Sequence, residues 1–224
     1  MATARLLGTV LTGSNSESCG MTFLTLATLP ALSANMSLVD IYLREQGVPS
    51  LPVLPVIYGD DVTLQGESSR FSQPPKNKLL ANAPRVQIPP DVQCAVILFL
   101  DLDAGARPGR RFNIYSNTGR FGPFVHSLWS HCSGGEVPQV PTVSCKRTHK
   151  AYLPPGHTHN PPNRYMWLLL RHACNAGLHL PNRYQFGKDR LSVSKLLTDN
   201  VHADLSPLAY NFLLVGGDPK QLQL

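Results

Sequence analysis

The chain has 224 residues, 42% of them apolar and 15% charged, a balance that excludes a disordered chain and allows one sizeable core. Its 20 prolines argue against an all-helical fold. The net charge of +6 is regional, since residues 105–190 hold twelve Lys or Arg against Glu136 and Asp189, which suits an anionic partner such as RNA or a membrane surface.

Residues 1–16 carry Arg5, five Ser or Thr and no acid before Glu17, a composition of the organelle-import kind. The apolar patch from Met21 to Leu32 is too short to span a bilayer and is broken by Pro30, so no membrane insertion is expected. A helix is signalled from Leu38 to Gln46. Ser37 is placed to cap it, Leu38, Ile41 and Tyr42 share one face, and Gly47 with Pro49 ends it. Strands follow at Leu54–Tyr58 and Val62–Leu64, joined through Gly59-Asp60-Asp61, whose residues tolerate left-handed geometry. Gln73 to Ala83 reads as a polar loop and Pro84 to Ile88 as a short strand.

The unbroken apolar run from Cys94 to Leu100 predicts a strand covered on both faces and placed mid-sheet. It stops at Asp101 and Asp103, whose period-2 spacing points both carboxylates the same way; the plainer reading is a solvated strand end. Residues 105–123 form a long arginine-bearing loop without hydrophobic period. Phe124 to His131 resumes as a strand, Tyr165 to Leu170 is another, Val193, Leu196 and Leu197 fit a short helix, and Leu208 to Val215 is the last strand. Trp129 and Trp167 are expected in the core. The five cysteines, Cys19, Cys94, Cys132, Cys145 and Cys174, are odd in number, widely spaced and without a Cys-x-x-Cys pair, and read as reduced intracellular thiols.

This order of elements resembles the phosphatidylethanolamine-binding protein (PEBP) family over residues 36–215. Asp101-Leu-Asp103-Ala104 is similar to its Asp-Pro-Asp-Ala-Pro signature, and His126 to the histidine that follows. Tyr152-Leu-Pro-Pro155 is similar to its Pro-Pro loop, Asn163-Arg-Tyr-Met-Trp-Leu168 to its His-Arg-Tyr strand, and Pro207-Leu-Ala209 to its Pro-x-Ala segment. The resemblance implies a mainly β fold, a PEBP-like β-sandwich of a large and a smaller sheet with a few peripheral helices. Around it, residues 1–35 form an extension, import-related or partner-wrapping, and 216–224 a tail. The resemblance also implies a small anion pocket for a phosphate-type headgroup, lined by Asp101, Asp103, His126, Pro155 and Tyr165, with Asn163 where the family has histidine.

The departures point away from that chemistry. Leu102 and Gly105 replace both signature prolines, so the rigid turn that presents the carboxylates is unspecified. Asn163 cannot carry charge to a phosphate. The gap from Asp101 to His126 is longer than the family's and holds Arg107, Arg110, Arg111 and Arg120. In this the chain resembles the PEBP-like branch found in the mitochondrial large ribosomal subunit. That implies a non-catalytic structural protein of the mitochondrial matrix, its pocket vestigial, contacting ribosomal RNA and mitochondrial ribosomal proteins.

The arginine loop reads blandly as a solvated insertion; the sharper reading has its arginines on phosphates, with Phe112 or Tyr115 stacking. Lys146, Arg147, His149 and Lys150 extend the same basic surface. Zinc ligation by His149, His157, His159, Cys132 and Cys145 lacks paired spacing, and His131 and Cys132 would face opposite ways on a strand. A hydrolase of His126, Asp101 and Ser127 lacks a nucleophile elbow. No metal, cofactor or small-molecule substrate is therefore expected. The alternatives carried forward are a soluble PEBP-type headgroup-binding or kinase-regulatory protein, cytoplasmic in that case, and a structural subunit of another mitochondrial complex.

Overall fold

The computed structural model describes residues 38–71, 78–104, 123–137, 145–156, 162–180 and 191–216. The chain divides into two units, Met1–Ala34 and Asn35–Leu224, and everything described belongs to the second. The arginines at 107, 110, 111 and 120, like His157 and His159, lie outside the described residues.

Helix α1 spans Leu38–Glu45 and ends at Gly47, whose φ of 75° is one that L side chains rarely adopt. Strands β1 (Val56–Tyr58) and β2 (Val62–Thr63) pair antiparallel across the turn at Gly59, where φ is 61°. Strand β3 (Arg70–Phe71) is followed by a 3-10 turn at Lys78–Ala81 that buries Leu80, and then by β4 (Arg85–Ile88). The polar loop expected up to Ala83 thus closes on an apolar anchor. Strand β5 is Ala95–Asp101, β6 Phe124–Cys132, β7 Gly135–Val137, β8 Cys145–Lys150 and β9 Asn163–Arg171. Helix α2 (Val193–Asp199) is capped by Ser192, whose hydroxyl accepts from the Lys195 amide at 3.2 Å, and β10 spans Ser206–Val215.

The strands form a six-stranded sheet in the order β3-β10-β9-β5-β6-β8 and a four-stranded sheet in the order β2-β1-β4-β7. Apart from the parallel pair β3–β10, neighbours run antiparallel. The fold class is therefore the mainly β sandwich expected. β5 lies mid-sheet with all seven residues buried. Ala95, Ile97 and Phe99 face the layer between the sheets, with Val56, Tyr58, Val86 and Ile88 of the smaller sheet. Val96, Leu98 and Leu100 face the opposite layer, with Val39 and Leu43 of α1 and Val193 and Leu196 of α2. An antiparallel strand usually alternates because one face is wet; here both faces are covered, so the run is continuous.

The chain passes from one sheet to the other between Cys132 and Gly135. At Gly134 a Cβ would fall 2.6 Å from the Pro89 carbonyl oxygen, so only glycine fits this crossing. Trp129 and Trp167 are both buried in the inter-sheet layer, as expected of core aromatics.

The cysteine reading is corrected by the structure, in which Cys94 bonds Cys174 and Cys132 bonds Cys145. The cause is register, which spacing along a chain does not report. Cys132 and Cys145 stand directly opposite on β6 and β8. Cys94 precedes β5, whose partner β9 ends at Arg171, and the His172 amide donates to the Cys94 carbonyl at 3.0 Å, bringing Cys174 alongside.

By chain entropy the Cys94–Cys174 bridge, with its separation of 80 residues, stabilises by roughly 4.5 kcal/mol, and the 13-residue Cys132–Cys145 bridge by roughly 3 kcal/mol. In urea unfolding, Cys94→Ser is expected to lose more stability than Cys145→Ser. Equal unfolding of oxidised and reduced wild-type protein would show that neither bridge forms.

Candidate functional site

Asp101 closes β5 opposite Tyr165 of β9 on one side and Phe124 of β6 on the other. Neither carboxylate of the Asp-x-Asp pair is solvated: Asp101 is 5% and Asp103 6% exposed. The strand breaks into a turn after Asp101, and the two acids take different partners instead of acting side by side. The Asn163 side-chain amide donates to both Asp101 carboxylate oxygens, at 2.9 and 3.1 Å, and the Asp103 amide donates to one of them at 2.9 Å. Asp103 receives the Arg164 backbone amide at 2.8 Å and the Arg164 Nε at 2.7 Å, and its second oxygen receives Arg164 Nη2. This is a two-pronged guanidinium–carboxylate pair, nearly closed to solvent.

Burial pushes the Asp101 carboxyl up to about 7. Asn163, the Asp103 amide and Tyr165 pull it down, and the neighbouring Asp103 charge pushes it further up. A lone carboxylate in a dry site without its own cation behaves this way.

His126 sits at a bulge. Ser127 is opposite Phe99 and Val125 opposite Leu100, so His126 is the inserted residue, and its side chain is re-aimed from the normal alternation. Its Nδ1–H donates to the Leu153 carbonyl at 2.8 Å, while the Leu153 amide returns a 2.8 Å bond to the His126 carbonyl. A carbonyl only accepts, so the proton of the neutral ring is on Nδ1. The imidazole makes edge-on contacts with Phe99, Phe124 and Tyr165, at centroid distances of 5.6, 5.2 and 5.1 Å. Beside it Phe99 stacks on Trp167 at 4.2 Å and on Tyr152 at 5.7 Å. The Tyr152 hydroxyl donates to the Leu80 carbonyl at 2.9 Å, which ties the Tyr-Leu-Pro-Pro segment to the 3-10 turn, and Pro155 is buried.

Of the sequence-derived pocket residues, the structure gathers Asp101, His126, Asn163 and Tyr165 around the end of β5, with Pro155 on the segment that holds His126. Asp103 is drawn off to Arg164. Arg164, Phe99 and Leu153 belong to this site although motif and spacing do not single them out. A buried acid needs a cation, and Arg164 stands between the two motif residues Asn163 and Tyr165; that was the available signal.

Lys146, Arg147 and Lys150, a basic cluster in the sequence, lie on β8, a strand at the edge of the large sheet. Lys146 and Arg147 are exposed, and Lys150 places its ammonium 4.3 Å from the centroid of the Phe124 ring. Among the described residues no three His, Cys, Asp or Glu side chains could hold a metal ion, and no helix is long and apolar enough to cross a membrane.

Breaking a buried ion pair leaves the survivor unpaired, so Asp103→Ala is expected to cost about 3–5 kcal/mol in urea unfolding. A cost below about 1 kcal/mol would mean that Arg164 finds another partner. For Asp101 the folded pKa lies above its unfolded value. Its contribution is therefore fully present below the ordinary carboxylate range and lost as pH rises through about 7. Asp101→Asn removes that loss: wild type is expected to fall behind the variant by roughly 1.4 kcal/mol per pH unit across the window. Parallel stability–pH curves would contradict the assignment.

No protein-family profile matches the sequence, and no curated protein matches it. Solved structures do match. A phosphatidylethanolamine-binding protein from Plasmodium vivax is 15% identical with a TM-score of 0.51, covering 80% of this chain and 97% of its own. The corresponding protein from Plasmodium falciparum is 13% identical with a TM-score of 0.50, over 80% of this chain and 97% of its own. The carboxypeptidase Y inhibitor, solved in complex with its cognate proteinase, is 14% identical with a TM-score of 0.52, covering 83% of this chain and 98% of its own. At such identities the likeness is one of fold alone: the mainly β, two-sheet architecture is PEBP-like.

Proposed function

We propose that the chain is a non-catalytic structural protein of the mitochondrial large ribosomal subunit, in which a PEBP-like fold holds ribosomal RNA and neighbouring ribosomal proteins through its basic surface. The observation that carries this reading is a division of labour. At the end of β5 the polar groups are committed to one another: Asp103 to Arg164, Asp101 to Asn163, and His126 Nδ1 to Leu153. At the sheet edge Lys146 and Arg147 are presented to solvent. Lys and Arg side chains so placed neutralise phosphates without base specificity. The sequence adds Arg107, Arg110, Arg111 and Arg120 in the segment after Asp103.

The test is sedimentation of the tagged protein from mitochondrial lysate. Co-migration with the large subunit is expected, weakened by salt and by the double reversal Lys146→Glu, Arg147→Glu. Confinement to the top of the gradient, indifferent to ribosome disruption, would overturn the proposal.

A second reading, a PEBP-type binder of a phosphate headgroup or other small anion, is favoured by two observations. Disulfides persist in oxidising compartments and are rare where thiols are kept reduced, and this fold carries two. Burial also pushes the Asp101 carboxyl up to about 7, so it gives up its charge more readily than an ordinary carboxylate, which lessens its repulsion of an anion beside His126 and Tyr165. Titration with phosphorylethanolamine separates the readings: saturable binding abolished by His126→Ala supports the second, and no binding leaves the first.

A further inference from the structure

At the opposite end of β5 a second group of side chains meets. Ala95 pairs with Arg171 and Cys132, six residues from Asp101, or about 20 Å along the strand. Here His131 adopts a φ of 55°, unusual for a residue other than glycine. It is the inserted residue of another β6 bulge, since Ser130 faces Val96 and Cys132 faces Ala95. Strain of this kind collects where a side chain must be aimed.

The Ser130 hydroxyl lies between two imidazoles, 3.1 Å from His131 Nδ1 and 2.8 Å from His149 Nε2. Each ring thus commits one nitrogen to the buried serine, and because the hydroxyl carries a single proton one ring accepts from it while the other donates to it. The His131 ring stands edge-on to His172 at 5.0 Å; His172 is 7% exposed, donates from Nδ1 to the Ala173 carbonyl at 3.0 Å, and has no partner for its buried Nε2. The two disulfides staple this corner, Cys132 next to His131, Cys145 next to Lys146, and Cys174 two residues beyond His172.

We propose that His131 and His149, with Arg147 beside them, form a binding site for a phosphate-type anion on the β6–β8 ribbon, separate from the residues around Asp101. The local charge supports it. Burial lowers the pKa of all three histidines, and the charges acting on His131 are those of His172, Arg147 and Lys146, while those on His149 are Arg147 and His131. Every one is basic. Asp204 lines a groove with Arg171, His172 and Ser206. A bound dianion would favour the protonated rings and relieve their mutual repulsion. A metal does not fit, because the point on which the two near nitrogens converge is already held by the Ser130 hydroxyl, and among the described residues no three His, Cys, Asp or Glu could hold one.

This site does not rest on the ribosomal reading, although both use Arg147. Its test is NMR titration of the full chain with inorganic phosphate, against chloride at equal ionic strength. Saturable shifts of the His131 and His149 ring protons are expected, with both pKa values rising. Arg147→Gln, an exposed substitution that should leave folding intact, and His149→Gln are each expected to weaken binding about tenfold, the loss of one charge-assisted hydrogen bond. Identical shifts in chloride, or saturable binding that both variants leave unchanged, would overturn the site. Displacement of phosphate by a short RNA would identify a phosphodiester backbone as the natural source, and retention a free phosphate or monoester. Phosphate binding here by a chain that never sediments with ribosomes would support this site and count against the ribosomal reading.

Discussion

A strand that is dry on both faces can end in carboxylates only if partners are built beside it. The first two residues of β9 supply them: Asn163 for Asp101 and Arg164 for Asp103. These contacts lie where β5 and β9, the two most buried strands, are paired from Ala95 against Arg171 to Asp101 against Tyr165. They set how the chain leaves the central strand, and so where the segment after Asp103 begins. A buried pair of this type adds little stability over an apolar replacement and is costly to break. It acts as a constraint on geometry.

That constraint also decides what the end of β5 can do chemically. With Asp103 drawn to Arg164, one carboxylate remains near His126 and Tyr165, and its charge is opposed by burial. His126 is held by the Leu153 carbonyl and by aromatic edges, fixed in both orientation and tautomer. These residues form an ordered aromatic and polar cluster in which each acid is already matched by a side chain of β9. The solvent-exposed Lys146 and Arg147 lie on the edge strand β8. Likeness of fold to phosphatidylethanolamine-binding proteins therefore describes the frame and carries no role by itself.

The large sheet has two differently built ends. One relies on side-chain hydrogen bonds between β5 and β9; the other relies on covalent ties, with Cys132–Cys145 joining β6 to β8 and Cys94–Cys174 joining the entry of β5 to the exit of β9. Edge strands are prone to fraying and mispairing, and a cross-strand disulfide restrains the one that carries the basic residues. The same tie fixes the backbone beside the left-handed His131.

What the sequence determined by itself was the pattern of burial. The run from Ala95 to Leu100 reads as a covered strand, Ile41, Tyr42 and their neighbours as a short helix closed by Gly47, and ordered motifs from Asp101 to Ala209 as the PEBP-like sandwich. These signals are local, written in side-chain period and turn residues. Tertiary structure alone decided which cysteines meet, that Asp101 and Asp103 part company, that Arg164 answers Asp103, and that His131, His149 and His172 gather at one corner. All of these depend on strand register and on bulges at His126 and His131. A one-residue insertion that turns a side chain to a new neighbour leaves no periodic trace in the chain.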